Sequence, residues 1–525
     1  MRSITLTDVS KSHGARLLLD RVSLVVGEGS RIGVVGPNGI GKSTLLRLLA
    51  GLESPDAGAI VRSPGLSIGY LPQELDARPS ETLLAYLERQ TGVGAAAAEM
   101  DALAVRLDDR PELAAAYTEA LDRFLVLGDG DFEARAAAAC AELGLAGRLE
   151  RPLESLSGGQ AARARLAALL LARFDVFCLD EPTNDLDFAG LERLERFVGD
   201  LRGSLVVVSH DREFLDRTVG RIVEIEEGRG TLREWPGGWS EYEAARERAR
   251  LAQYRRFEET EGGRRELEAL VRERRGQART GATLAKRTGG ADRRGTHALQ
   301  TKVRQAERAL ERLERVEKPF EPWRLQLSLA PRHRSGEVVA RLDGAVVERG
   351  SFRLGPLDLD LRYGDRLSVA GPNGSGKSTL LHALLGRLPL AAGRRTLGPG
   401  VVVGDLDQRR VRFDTERPLA EQFAAEAAWP QEETRTFLAK FGLGADDVLR
   451  PGLTLSPGER TRAALALTAA HGVNLLVLDE PTNHLDLPAI EELEAALESF
   501  GGTVVLVTHD RRLLERFQFT HELEL

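Results

Sequence analysis

The chain has 525 residues, 42% hydrophobic and 29% charged, which at roughly 150 residues per domain predicts about three domains with buried cores. Lys and Arg total 72 against 80 Asp and Glu, a formal net charge of -8, so a basic nucleic-acid coat over the whole surface is excluded while a local basic patch is not. Two cysteines, Cys140 and Cys178, exclude a disulfide framework, an iron–sulfur cluster and a four-thiolate zinc site, and a reducing cytoplasm is the expected location.

No stretch reaches the roughly 18 uninterrupted apolar residues of a bilayer-spanning helix. The polar, alternating start MRSITLTDVSKSHG does not have the pattern of a signal peptide. Any service to a membrane would run through a partner.

Along the chain, the first chemical motif follows the apolar strand RIGVV at 31–35 and is itself followed by an apolar-periodic segment. It reads GPNGIGKST, from Gly36 to Thr44. Glycines let successive backbone N–H groups curl around phosphate oxygens, and the helix N-terminus adds partial positive charge. Lys42 is placed to reach β- and γ-phosphates and Ser43 to hold Mg²⁺. The strand DVFCLDE then ends in two carboxylates, Asp180 and Glu181. Charge at a buried strand end is costly unless it binds something. Asp180 fits a magnesium role, and Glu181 fits orientation or deprotonation of an attacking water. The strand VVVSH ends at His210, a candidate γ-phosphate contact.

From about 240 to 320 the composition changes to charged helical text. EYEAARERARLAQYRRFEE and RRELEALVRERR form one limb of about 35 residues, a reach of ~50 Å, less if Gly262 and Gly263 break it. A Gly-rich turn follows from 276, then a second limb, HALQTKVRQAERALERLERVEK, with a coiled-coil seam of Leu299, Val303, Ala306, Leu310 and Leu313. Ten Lys or Arg against two acidic residues lie between Arg272 and Arg304. This is a hairpin with a basic tip.

Beyond it the text repeats. GPNGSGKST runs from Gly371 to Thr379, with Lys377 335 residues after Lys42. Gln408 follows Gln73 by the same 335 residues, whereas Ser456, Glu480 and His509 follow Ser157, Glu181 and His210 by 299. The difference of 36 residues lies between the glutamine and the serine, so the first copy carries an inserted helical arm within about 74–150. Ser378 and Asp479 repeat the magnesium pair, and Glu480 and His509 the water and phosphate roles. The expected organisation is α/β: two phosphate-loop domains, 1–238 and 323–525, joined by the hairpin at 239–322.

LSGGQ at 156–160 and LSPGE at 455–459 resemble the signature sequence of ATP-binding cassette (ABC) ATPases. Gln73 and Gln408 resemble that family's Q-loop glutamines, and Asp187 and Asp486 its D-loop aspartates. The resemblance implies two ABC cassettes packed head to tail, each binding ATP and Mg²⁺ between its own phosphate loop and the other's signature. One site would take Gly36, Asn38, Gly39, Gly41, Lys42, Ser43, Thr44, Gln73, Asp180, Glu181 and His210 with Ser456, Gly458 and Glu459. The other would take Gly371, Asn373, Gly374, Gly376, Lys377, Ser378, Thr379, Gln408, Asp479, Glu480 and His509 with Ser157, Gly159 and Gln160. Gln73 and Gln408 are expected at the metal as well. Pro457 departs from the signature by removing a backbone donor, which implies slower action at the first site. His13 in the first copy, and Arg349 with Phe352 nearby in the second, are the adenine-stacking candidates.

Tandem cassettes, an arm in the first and a basic-tipped hairpin between them are similar to the ABC-F family. That likeness implies an ATP hydrolase that acts as a monomer on the ribosome, reaching ribosomal RNA and the P-site tRNA through the hairpin. Lys286, Arg287, Arg293 and Arg294 are the expected phosphate contacts. LSPGERTRAALA is similar to antibiotic-resistance members. The alternative is the ATP-binding subunit of an importer with a separate membrane permease, against which the charged hairpin and the intact second phosphate loop argue.

Overall fold

The computed structural model describes residues 2–14, 16–73, 75–107, 109–128, 131–287, 333–350, 352–406, 413, 415–483 and 485–525. It separates into two compact units, Met1–Trp239 with Leu325–Leu525, and Ser240–Arg324.

In the first half of the larger unit, β1 (Ile4–His13), β2 (Arg16–Val26) and β4 (Ala57–Arg62) form an antiparallel sheet in the order β2-β1-β4. Beside it are β3 (Arg31–Val35), β5 (Ile68–Leu71), β6 (Val176–Asp180), β7 (Ser204–Val208), β8 (Arg221–Ile225) and β9 (Leu232–Pro236). They order as β5-β6-β7-β3-β8-β9, parallel except for the last pair. Every residue of β6 and β7 is buried, as expected of strands covered on both faces, whose sequences therefore read as unbroken apolar runs. The core joins Ile4, Leu6, Leu45, Leu49, Val176 and Val206, so helix α1 (Lys42–Ala50) packs its apolar face between the two sheets.

Helices α2 (Leu83–Thr91), α3 (Val93–Ala104), α4 (Ala114–Leu127), α5 (Phe132–Glu142) and α6 (Gly158–Leu171) follow, then α7 (Phe188–Asp200) and α8 (Arg212–Thr218). The smaller unit contains most of α9 (Trp239–Arg287).

The second half repeats the plan. Strands β10 (Val338–Arg349), β11 (Phe352–Arg362) and β13 (Ala392–Leu397) make the antiparallel sheet. Strands β12 (Arg366–Ala370), β14 (Val403–Leu406), β15 (Leu475–Asp479), β16 (Thr503–Val507) and β17 (His521–Glu524) order as β14-β15-β16-β12-β17, all parallel. Its helices are α10 (Lys377–Leu384), α11 (Leu419–Ala427), α12 (Gln431–Ala439), α13 (Pro457–His471), α14 (Leu487–Ser499) and α15 (Arg511–Arg516).

The comparison of halves narrows the inserted arm. Isolated bridges Thr82↔Pro152 and Pro418↔Pro451 fix equivalent entry points, and α2 and α5 flank α6 as α11 and α12 flank α13. The surplus is α3 and α4, packed against each other, within the range 74–150.

The first limb of the hairpin is longer than its sequence suggests. Helix α9 has 49 residues, passes through Gly262 and Gly263, and continues to Arg287 across the expected turn. At 1.5 Å per residue its span is about 74 Å. Glycine costs a helix only about 1 kcal/mol relative to alanine, and a run rich in Arg, Glu, Leu and Ala absorbs that. Ion pairs Arg264–Glu261 at 3.1 Å and Arg250–Glu247 at 3.1 Å add local support. Lys286 and Arg287 are the last residues of α9, while Arg293, Arg294 and the second limb lie outside the described residues.

A Cβ at Gly262 or Gly263 would meet nothing within 4 Å. The Gly262→Ala, Gly263→Ala protein should therefore hold α9 more firmly, by about 1 kcal/mol per site. Amide hydrogen exchange across 258–267 should slow by roughly tenfold or more; unchanged exchange would mean that α9 does not open locally there.

Candidate nucleotide site

Parallel strands present their C-terminal ends to one edge, and ligands gather there. In the first half Gly36 follows β3, Asp180 ends β6, His210 lies two residues past β7 and Gln73 two past β5. Because β5, β6, β7 and β3 are neighbours, the four motifs meet without any long-range adjustment. The second half does the same with Gly371, Asp479 and His509, while Gln408 lies outside the described residues.

The phosphate loops are held by their own lysines. Lys42 Nζ donates to the carbonyl oxygens of Gly36 at 2.7 Å and Pro37 at 3.1 Å. Lys377 Nζ donates to Gly371 at 2.7 Å and Pro372 at 3.2 Å, and lies 3.3 Å from His509 Nε2. The last loop glycines need their lack of a side chain. Gly41 has φ +116°, and Gly376 has φ +110° with a Cβ position 2.8 Å from the Phe352 ring. Burial pushes the Asp180 and Asp479 carboxyls up, and the neighbouring Ser43 and Ser378 hydroxyls oppose that shift. A hydroxyl beside a carboxylate, next to a phosphate cradle, suits Mg²⁺ that keeps waters and takes phosphate oxygens as further ligands.

Glu181 and Glu480 both adopt φ +47°, a left-handed conformation that costs a non-glycine residue roughly 1–3 kcal/mol. Neighbours impose it. The Glu181 N–H donates to Val208 O at 2.9 Å, and Arg165 donates to Glu181 O at 3.1 Å. The Glu480 N–H likewise donates to Val507 O at 2.9 Å. Both Glu181 oxygens, Glu480 Oε1 and both His210 ring nitrogens are buried without an aligned partner among the described residues. His210 Nε2 approaches Glu181 Oε1 to 3.2 Å but not along a hydrogen-bond direction. Orphaned polar atoms are costly in a protein interior. Set beside Lys42 in the first site and Lys377 in the second, they fit a phosphoryl group and a water.

Burial pushes the Glu181 carboxyl up to about 7, against the pull of Lys42, and pushes Glu480 up as well. Burial, reinforced by the adjacent lysines, holds His210 well below its usual value and His509 at about 4. Both imidazoles are neutral at physiological pH.

A cavity of about 530 Å³ is lined by His13, Arg16, Asn38, Gly39, Gly41, Lys42, Ser43, Thr44, Gln73, Asp180, Glu181 and His210. A larger one of about 960 Å³ joins Asn373, Gly374, Gly376, Lys377, Ser378, Thr379, Asp479, Glu480 and His509 to Ser157, Gly159 and Gln160 of the other half. Arg349 and Phe352 also line it. Ser456 and Glu459 close a capping box on α13 as Ser157 and Gln160 do on α6. Among the described residues, 455–459 contribute nothing to the lining of the smaller cavity. Pro457 is the first residue of α13, a position where proline costs a helix no internal bond.

The halves reach across to each other's loops. Asp187 Oδ2 accepts from the Asn373 N–H, and Asp486 Oδ2 from the Asn38 N–H, both at 3.0 Å. Several participants escape sequence reading. Tyr70 donates to Asp180 Oδ2 at 3.2 Å, whereas Asp405 stands at the matching place in the second half and raises the pKa of Asp479. Arg165 has no charged counterpart, since Ala464 lies 299 residues on. Asn184 and Asn483 line the two cavities, and their recurrence in TNDLD and TNHLD was a usable signal.

A carboxyl with its folded pKa raised from 4.5 to about 7 favours the folded state at low pH, and that stability is lost as pH rises from about 4.5 through 7. Glu181→Gln removes the penalty, worth about 3 kcal/mol above pH 7 as an upper bound. In nucleotide-free protein, this substitution should raise the thermal midpoint more at pH 8 than at pH 5. A midpoint that falls, or a gain independent of pH, would show that Glu181 is ionised without penalty.

The ABC transporter family model matches residues 19–184 and 354–483. The chain is 40% identical to the tylosin resistance ATP-binding protein TlrC of Streptomyces fradiae, covering 99% of this chain and 97% of that one. It is 33% identical to the putative ATP-binding protein YdiF of Bacillus subtilis (100% and 80% covered). Identity to the energy-dependent translational throttle protein EttA of Mycobacterium tuberculosis is 32% (98% and 89%). The archaeal ribosome recycling factor aABCE1, solved in complex with ribosomal stalk protein aP1, shares the fold, with a TM-score of 0.59 at 20% identity over 97% of this chain and 86% of that one. With two complete phosphate-loop domains and whole-length relatives of this kind, the chain belongs to the ABC family of ATP hydrolases, in its tandem-cassette ABC-F branch.

Proposed function

We propose that this protein binds the ribosome and uses ATP binding and hydrolysis to modulate translation, protecting the ribosome against an antibiotic. The reading is supported above all by the 40% identity to the tylosin resistance protein along nearly the whole of both chains. Likeness to a translational throttle protein points to the same target. Among the described residues, no helix is long and apolar enough to cross a membrane, and no observation favours the importer alternative.

In this reading the cassettes are 1–238 and 323–525, the linker is 239–322, and the protein works as a cytoplasmic monomer. Ser43 and Asp180, and Ser378 and Asp479, hold Mg²⁺, with Gln73 and Gln408 beside them; the bound ion neutralises phosphate charge. Lys42 and Lys377 bind the β- and γ-phosphates. Glu181 and Glu480 orient the attacking water and accept its proton, which a carboxyl poised near neutrality suits. Neutral His210 and His509 donate to the γ-phosphate. Ser157, Gly159 and Gln160 close on the nucleotide of the second cassette, and Ser456, Gly458 and Glu459 on that of the first. Lys286, Arg287, Arg293 and Arg294 meet ribosomal RNA or the P-site tRNA, where a slender cationic tip can enter and an acidic globular body cannot.

The Glu181→Gln, Glu480→Gln protein should load ATP, stay closed and co-sediment with 70S ribosomes at least tenfold more than without ATP. Shortening 276–295 should abolish that pelleting. A folded, ATP-binding double variant that leaves ribosomes in the supernatant would overturn the reading.

A further inference from the structure

We propose that helix α7 of the first cassette is a positioning clamp for the phosphate-contact histidine of the second, with Phe188 orienting the His509 ring and Glu195 tethering Arg511. Phe188 is the first residue of α7, directly after Asp187, whose carboxylate receives the Asn373 N–H. Its ring meets the His509 imidazole edge to face, with centroids 5.0 Å apart and planes at 82°. Edge-to-face packing fixes the plane of a ring. His509 needs this, because its Nδ1 is buried with no hydrogen-bond partner among the described residues. Nε2 lies 3.3 Å from Lys377 Nζ and 3.4 Å from Glu480 Oε1.

The second grip lies two turns along the same helix. Glu195 is seven residues after Phe188 and so shares its face. Its Oε1 pairs with Arg511 at 2.7 Å, and the Arg511 guanidinium also lies 6.0 Å from the Phe188 ring. His509 and Arg511 are two residues apart, on either side of the turn that opens α15. One helix face of the first cassette thus holds both His509 and Arg511 of the second.

The opposite clamp is built differently. Glu494 on α14 pairs with Arg212 at 3.2 Å, both side chains 4% exposed, so the tether is repeated. The residue 299 after Phe188 is Leu487, which has no ring to set against His210. Aromatic orientation is given to the second ATP site and withheld from the first. His509 should therefore reach its working geometry only when the cassettes are together.

The inference rests on the roles assigned above to His509 and Glu480. The test uses two full-length proteins, Glu181→Gln and Glu480→Gln, each leaving one site competent, and measures the burst of phosphate release on mixing with saturating Mg²⁺–ATP. Phe188→Ala should slow the burst about tenfold in the Glu181→Gln protein. It should slow the burst less than about twofold in the Glu480→Gln protein, with ATP affinity unchanged in both within about twofold. Phe188→Tyr should restore the burst. Equal slowing in both proteins would mark Phe188 as merely structural, and no slowing in either would make the contact incidental; both results overturn the proposal. If Phe188→Ala does not fold, Phe188→Leu, which copies position 487, decides by the same comparison. A burst from the Glu181→Gln, Glu480→Gln protein would instead overturn the assignment of the glutamates, whatever Phe188 does.

Discussion

Two reciprocal hydrogen bonds organise this molecule: the aspartate of each cassette accepts the backbone N–H of the other's phosphate-loop asparagine, Asp187 from Asn373 and Asp486 from Asn38. A charge-assisted bond to a backbone group is short, directional and indifferent to side-chain identity. It therefore aligns two loops whose detailed linings differ. Around it, Asn373 Nδ2 donates to Asp185 O at 2.9 Å, and the Arg212–Glu494 and Arg511–Glu195 pairs close the interface farther along. The larger nucleotide cavity draws on both cassettes, since Ser157, Gly159 and Gln160 reach the loop of Lys377 through this register, whereas the described lining of the smaller one comes from the first cassette.

The register is symmetric, but what it aligns is not. Tyr70 supports Asp180 as a neutral donor, while Asp405 sets a second negative charge near Asp479 and is itself tied to Arg387. Arg165 pins the strained backbone of Glu181, and Ala464 offers nothing of the kind to Glu480. Phe188 faces His509 where the other clamp has Leu487. The two sites share the residues proposed to bind phosphate and differ in those that hold these residues in place. Divergence of this type changes rates and affinities of a site without removing its chemistry.

The sequence made legible whatever is local and repeated. Phosphate loops, strand-end carboxylates and signatures recur at fixed offsets, and parallel strands carry them to a common edge, so the chemistry and its location follow directly from the text. Two other properties were less readable. Gly262, Gly263 and Gly276 look like helix breakers when taken singly, yet α9 continues through them because a glycine's cost is spread over 49 residues. The arm's 36-residue surplus could be placed only within about 74–150, because helical composition does not distinguish α2 and α5, which both cassettes share, from α3 and α4, which only the first has. Contacts between cassettes were least accessible. Phe188 and Glu195 carry no motif, and their meaning comes from the opposing His509 and Arg511.

The buried acids explain why such a molecule is driven by its nucleotide. Glu181 and Glu480 sit in strained backbone, in sites that hold their carboxyls partly neutral, beside imidazoles with orphaned ring nitrogens. These are stability costs with no structural return in the protein alone, the usual mark of a site kept for function. A ligand that binds only the assembled site stabilises it by mass action, by about 4 kcal/mol at a thousandfold excess over its Kd. That is comparable to the roughly 3 kcal/mol upper bound on the Glu181 penalty. In the proposed cycle, nucleotide binding would relieve a stress stored in the sites themselves, and loss of the phosphate would restore it.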